Sequence, residues 1–198
     1  MISLEELSEM AILAFKNGLR LHFDSSILID FQSYPLSVLL SVLSMEEFGK
    51  YFSLSAYVFY TSVNDTRDLK FENEYLKSLY SHINKQRTIF GRDGFDPSVD
   101  GILKVNNRFY ENLKQRSAYV GYNREKGNIL YDKGINNPDE ITEEIALQQF
   151  DFMNDSLIDL VDKHIKGIIE MDEDEINDLL NEELFLQLKE QKKGINSL

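Results

Sequence analysis

The chain has 198 residues, 42% of them hydrophobic, no cysteine and a formal net charge of −13. That length suits one domain with enough apolar mass for a core, and the missing cysteine excludes disulfides and thiolate metal centres. The charge is uneven: residues 1–76 carry 5 basic and 11 acidic side chains, residues 77–137 carry 11 and 6, and residues 138–198 carry 5 and 17. A basic island between acidic flanks can meet phosphates, or it can pack against the acidic tail of its own chain.

Ser3 followed by Glu6 has capping-box spacing and predicts a first helix. Leu4, Leu7, Met10, Ala11, Ala14 and Phe15 give it an apolar face that runs on through Leu19, Phe23 and Ile27 towards Phe31, loosened at Gly18. The opening Met1-Ile2-Ser3-Leu4-Glu5-Glu6 has acidic residues where a signal peptide needs basic ones, so a cytoplasmic protein is expected. Pro35 then starts a helix over about 35–60. From Leu36 to Met45 its only polar residues are Ser37, Ser41 and Ser44, one stripe of small side chains that lets a neighbouring helix come close. A helix apolar nearly all round belongs in the middle of a bundle. The run is about half the ~20 residues that a membrane span needs, and Asp30, Pro35, Glu46 and Glu47 bracket it, so no membrane is expected.

A shorter helix is predicted over 71–90, with Phe71, Tyr75, Leu79 and Ile83 on one stripe and His82 and Lys85 together on a neighbouring face. Gly91 to Pro97 is a loop by its glycines and proline, and another helix covers roughly 103–118. Residues 118–131 fit a small hairpin or an ordered loop. Asn137-Pro138-Asp139-Glu140 opens a long helical region to about Glu170, and an acidic break at 171–175 precedes a last amphipathic helix. The expectation is all-α: a bundle of about six helices over 1–170, with an acidic helix over 171–198 packed on it or extending it.

Glu46 and Glu47 stand in the most apolar helix, with Lys50 three and four residues on. Buried carboxylates need partners. The cluster is therefore either a helix-stabilising Glu–Lys pair where the helix leaves the core, or part of a site. The Glu-x-x-His repeats of di-iron bundles are absent, so no metal is expected there, and no cofactor motif is present. His22 and His164 lack suggestive neighbours. His82, Lys85 and Arg87 instead gather an imidazole, an ammonium and a guanidinium within about two turns, a set suited to phosphodiesters. A solvated basic helix face would look the same. Lys104, Arg108, Lys114, Arg116, Tyr119 and Arg124 extend the basic surface, with tyrosine beside cations as RNA-binding surfaces have.

Three segments resemble motifs of the AbiV family of bacterial abortive-infection proteins. Leu43 to Lys50 is similar to its Glu-Glu-x-Gly-Lys signature, Ser81-His82-Ile83-Asn84-Lys85 to its His-x-x-Lys element, and Lys114 to Val120 to its Lys-x-x-x-x-Tyr-Val segment, with Gly121 where the family has an acidic residue. The resemblance spans roughly 8–125. It implies a HEPN-like helical fold, often homodimeric, in a cytoplasmic anti-phage effector that arrests translation, with a phage protein as activator or target. Many HEPN-type toxins are metal-independent ribonucleases with an Arg-x4–6-His motif. No such motif occurs here; only the reverse order, His82 to Arg87, has that spacing. On this reading His82 transfers protons, Lys85, Arg87 or Arg116 stabilise phosphate charge, and Glu46, Glu47 and Lys50 orient the set. Lys104, Arg108, Lys114, Tyr119 and Arg124 would contact RNA. The alternative is a non-enzymatic protein that binds a phage or host protein, or the ribosome or RNA, without chemistry.

Overall fold

The computed structural model describes residues 2–64, 67–90, 99–125, 128–171 and 173–195, with backbone alone at 90, 99–100, 123–125, 130–133 and 193–195. The predicted 91–97 loop lies outside the described residues. Helix α1 (Leu4–Asp30) begins with both arms of the Ser3–Glu6 capping box in place, and Gln32, at φ 56°, turns the chain into α2 (Tyr34–Asn64). These two long helices form an antiparallel hairpin. The serine stripe makes its close approach possible and supplies hydrogen bonds across it: Ser44 Oγ donates to Gly18 O at 2.8 Å, and Ser25 Oγ donates to Ser37 O at 3.0 Å. Ser41 Oγ donates to Gln149 O on a third helix. Gly18 does not loosen α1. It makes room for the Phe48 ring, which lies 3.1 Å from where a Cβ would be.

The helix expected over 71–90 is two: α3 (Leu69–Ser78) and α4 (His82–Phe90). Leu79, Tyr80 and Ser81 between them each bond to the carbonyl three residues back, so the chain tightens and re-aims. The 103–118 helix is likewise split into α5 (Val99–Asn106) and α6 (Phe109–Ala118) by Arg108, whose φ of 57° is left-handed. Strands β1 (Gly121–Glu125) and β2 (Asn128–Asn136) pair antiparallel with an irregularity at Tyr122/Asn123, a longer ribbon than the hairpin expected at 118–131. After a 3-10 turn at Pro138–Glu140, α7 (Glu143–Ile165) is capped by Thr142 and is followed, after Lys166, by Gly167 at φ 66°. The C-terminal part contains α8 (Asp174–Leu179) and α9 (Glu182–Ile195).

The described residues thus hold nine helices rather than about six, because three predicted helices are interrupted. The class is all-α as expected. The core runs through Phe15, Phe48 and Tyr51, with Phe15 edge-on to both of the other rings, and continues through Phe150, Leu157 and Leu188. Ile176, Leu184 and Leu188 are buried, and buried Glu173 accepts hydrogen bonds from Tyr51 (2.9 Å) and Ser55 (2.7 Å) of α2. Among the described residues no helix is long and apolar enough to cross a membrane.

Candidate functional site

Glu46 sits midway along α2, where the helix is covered by α4 and α6, and its side chain is 1% exposed. A carboxylate there must be surrounded by donors. Four reach it: His82 Nδ1 (2.6 Å) and Lys85 Nζ (3.2 Å) at Oε2, and Lys114 Nζ (2.9 Å) and Gln86 Nε2 (3.1 Å) at Oε1. Burial pushes its pKa up. The bond to His82 and the ammoniums of Lys114 and Lys85 more than offset that and hold it at about 2.

The local sequence explains how α4 gets so close. His82, Lys85 and Gln86 fall at i, i+3 and i+4 on one face of α4. That face lies against Gly49, one turn beyond Glu46. A Cβ on Gly49 would stand 1.9 Å from the Lys85 carbonyl oxygen, so the glycine is what admits the α4 backbone. On α6, Glu111 and Lys114 are three residues apart and paired, with Lys114 Nζ 2.9 Å from Glu111 Oε2. Lys114 therefore bridges two carboxylates. Glu111 also accepts from Gln115 at 3.0 Å; burial pushes its pKa up, but Gln115 and Lys114 hold it below the ordinary carboxylate value.

His82 joins this cluster to solvent. Its side chain is 47% exposed. A carboxylate can only accept, so Nδ1 carries the proton, and Nε2 of the neutral ring keeps its lone pair. Nε2 has no partner among the described residues. The ring lines a cleft of about 850 Å³ whose walls include Glu111, Lys114, Tyr119, Tyr122 and Ile129. Tyr119 stands exposed at its rim.

The other residues expected at a site lie apart from Glu46. Glu47 pairs with Lys50 at 3.8 Å near the surface. Arg87 donates twice to Asn106 Oδ1, at 3.2 and 3.0 Å, and Arg116 faces Glu140 at 3.6 Å. Lys104 lies 5.8 Å from the Phe109 ring centroid, and Arg108 occupies the break between α5 and α6. Arg124 is in β1, with its side chain outside the described residues. Lys114, read from the sequence as an RNA contact, is inside the cluster. Glu111 and Gln86 were not singled out. Glu111 had a usable signal, the same three-residue spacing to a lysine that marks His82 and Lys85. Gln86 had none beyond its neighbours.

A carboxylate oxygen each from Glu46 and Glu111 and a ring nitrogen of His82 all lie within 4.8 Å of one another, an arrangement able to hold a metal ion, which the sequence did not lead one to expect. His22 is a packed histidine. Its ring stacks on Phe150, Nε2 donates to Asn154 Oδ1 at 2.9 Å, and burial lowers its pKa to about 4.

A family model described as HEPN_AbiV: AbiV matches residues 6–157, which take in α1 to most of α7 and every side chain around Glu46. No curated protein and no solved structure matches the chain.

Proposed function

Since the chain belongs to the AbiV family, we propose that it is an abortive-infection effector that arrests translation in phage-infected bacteria by cutting RNA at His82. The observation that carries this reading is the histidine itself: Nδ1 anchored on a buried carboxylate at 2.6 Å, the ring half exposed in a cleft that also presents Lys114. Such an arrangement supports general-base catalysis, because the carboxylate fixes the tautomer and stabilises the imidazolium that forms. Nε2 takes the proton of an RNA 2′-hydroxyl, and the 2′-oxygen attacks the neighbouring phosphorus. The bond to the 5′-oxygen breaks, leaving a cyclic phosphate and a 5′-hydroxyl that takes its proton from water in the cleft. Lys114 faces the charge that grows on the phosphate. Tyr119 and Tyr122 offer faces on which unpaired bases stack. In this reading the protein acts in the cytoplasm as a homodimer, and a phage component switches it on.

A specific feature favours a second reading, a binding protein without chemistry. Both lysines of the cluster are already committed to carboxylates, and the Arg-x4–6-His motif is absent. Total-RNA integrity after induction of wild type or His82→Ala, with and without phage lysate, separates the two. Discrete cleavage with wild type, reduced by about 10²–10⁴ in the variant, is the expected outcome. Intact RNA with translation still blocked would refute the nuclease and leave the binding protein.

A further inference from the structure

We propose that Glu46, Glu111 and His82 form a binding site for one divalent transition-metal ion of the zinc class, that the Lys114 ammonium is its built-in competitor, and that metal entry silences His82. The binding claim stands on its own; the silencing rests on the function proposed above.

The first ground is geometry. Three ligands held at zinc's usual ~2.0–2.2 Å sit about 3.4 Å from one another. Here the three donor atoms already lie within 4.8 Å, so side-chain adjustment suffices to close the set. The second is that a cation already occupies the place. Lys114 Nζ stands 2.9 Å from Glu46 Oε1 and 2.9 Å from Glu111 Oε2, between the two carboxylates a metal would bridge. The third is support behind the ligands, which gives metal sites their rigidity. Gln86 and Lys85 hold Glu46 from α4, and Gln115 holds Glu111 from α6.

One imidazole and two carboxylates select the zinc class over magnesium, which prefers oxygen ligands and keeps its water. The half-exposed ring and the cleft give the ion a way in and a water for the fourth position. The same cleft receives the displaced ammonium, since Lys114 already lines it. Lys85 stays on Glu46 throughout, which keeps wild-type affinity below that of a site with no cation in it. Metal on Nδ1, the ring nitrogen already 2.6 Å from Glu46 Oε2, leaves the neutral ring's proton on Nε2, and metal on Nε2 takes that lone pair directly. That nitrogen then has no lone pair with which to accept the 2′-hydroxyl proton, and the base is lost.

Metal-free full-length protein is titrated with zinc chloride by calorimetry in a non-coordinating buffer at neutral pH, beside Lys114→Met and the double variant Lys114→Met/Glu111→Gln. Wild type should bind one ion per chain, Lys114→Met about tenfold or more tighter, and the double variant about tenfold or more weaker than Lys114→Met. Lys114→Gln serves for the same comparison if Lys114→Met loses helicity. Equal affinity of wild type and the lysine variant would overturn the proposal. So would binding that ignores Glu111→Gln, which would place the ion on the acidic surface, or no binding by any of them. In the RNA assay, zinc should stop cleavage by wild type and a chelator restore it. Cleavage that persists at saturating zinc would refute the silencing. A protein that cuts no RNA at all would remove the nuclease reading, while the titration still decides the metal site.

Discussion

Gly49→Ala isolates the role of helix approach in assembling the site. The substitution leaves α2 free to stay helical and should favour it by about 1 kcal/mol on propensity alone. Its cost arises across the interface. The new Cβ would lie 1.9 Å from the Lys85 carbonyl oxygen and 2.7 Å from its carbon, backbone atoms that no side-chain rotation can move. Ordinary contact begins near 3.4 Å, so α4 must retreat by about 1.5 Å. That retreat stretches His82–Glu46 from 2.6 to about 4 Å and Lys85–Glu46 from 3.2 to nearly 5 Å, beyond hydrogen-bonding range. Overpacking costs about 1–3 kcal/mol and each lost charge-assisted bond about 1.5–3. Even after the propensity gain, a net loss of about 3–8 kcal/mol is expected, a large part of a domain's usual stability. Urea unfolding measures it, and NMR of the His82 ring shows whether its bond to Glu46 survives. Gly18→Ala is the control. There the neighbour is the Phe48 ring at 3.1 Å, which a small shift relieves, so its cost should stay near 1 kcal/mol. A Gly49→Ala protein within 1 kcal/mol of wild type, with the His82–Glu46 bond intact, would refute the reasoning.

Glu46→Gln keeps the shape but leaves Lys85 without a carboxylate and Lys114 with Glu111 alone, and should cost about 3–5 kcal/mol in urea unfolding. Glu46 is held at about 2, below its ordinary 4.5, so its contribution is full above pH 4.5 and lost as pH falls towards 2. The wild-type acid limb should therefore be steeper than the variant's by up to about 3 kcal/mol over that window, and parallel limbs would contradict it. His22 acts at higher pH. Buried as the neutral ring, with its pKa lowered from 6.5 to about 4, it contributes stability that is full above pH 6.5 and falls by about 3 kcal/mol towards pH 4. His22→Gln should flatten that stretch of the urea-midpoint profile, and an unchanged slope would show that other groups cause it. Glu173→Ala leaves the Tyr51 and Ser55 hydroxyls without their acceptor and should cost about 2–4 kcal/mol. It should also expose α8 and α9 to limited proteolysis while α1 and α2 stay protected; uniform protection would argue against a tether.

Local signals survived intact from sequence to fold. The Ser3–Glu6 box and the serine stripe of α2 act through residues three or four apart, and each does what its spacing says. The helix interruptions were not legible. Phe71, Tyr75, Leu79 and Ile83 keep helical spacing straight across the break at 79–81, because both halves place apolar residues on the core and periodicity is blind to a change of axis. Arg108 carries no turn signature either. An arginine in the left-handed region is imposed by what α5 and α6 pack against, not by its own preference.

The site shows where charge counting fails. Adjacent residues on a helix point about 100° apart, so Glu46 and Glu47 cannot share an environment. Lys50 is spaced to reach either, and the sequence offers no way to choose. The structure gives Lys50 to Glu47, the carboxylate near water, while the four partners of Glu46 come from between 36 and 68 residues away. The informative residue in that stretch was the uncharged one. Gly49, and not the neighbouring charges, is what decides that α4 can touch α2, and only that contact converts His82 and Lys85 from a basic helix face into ligands of a buried carboxylate. A glycine inside a strongly apolar helix should therefore be read as the point where a second backbone arrives, and the charged residues one turn away as the groups it was admitted to meet.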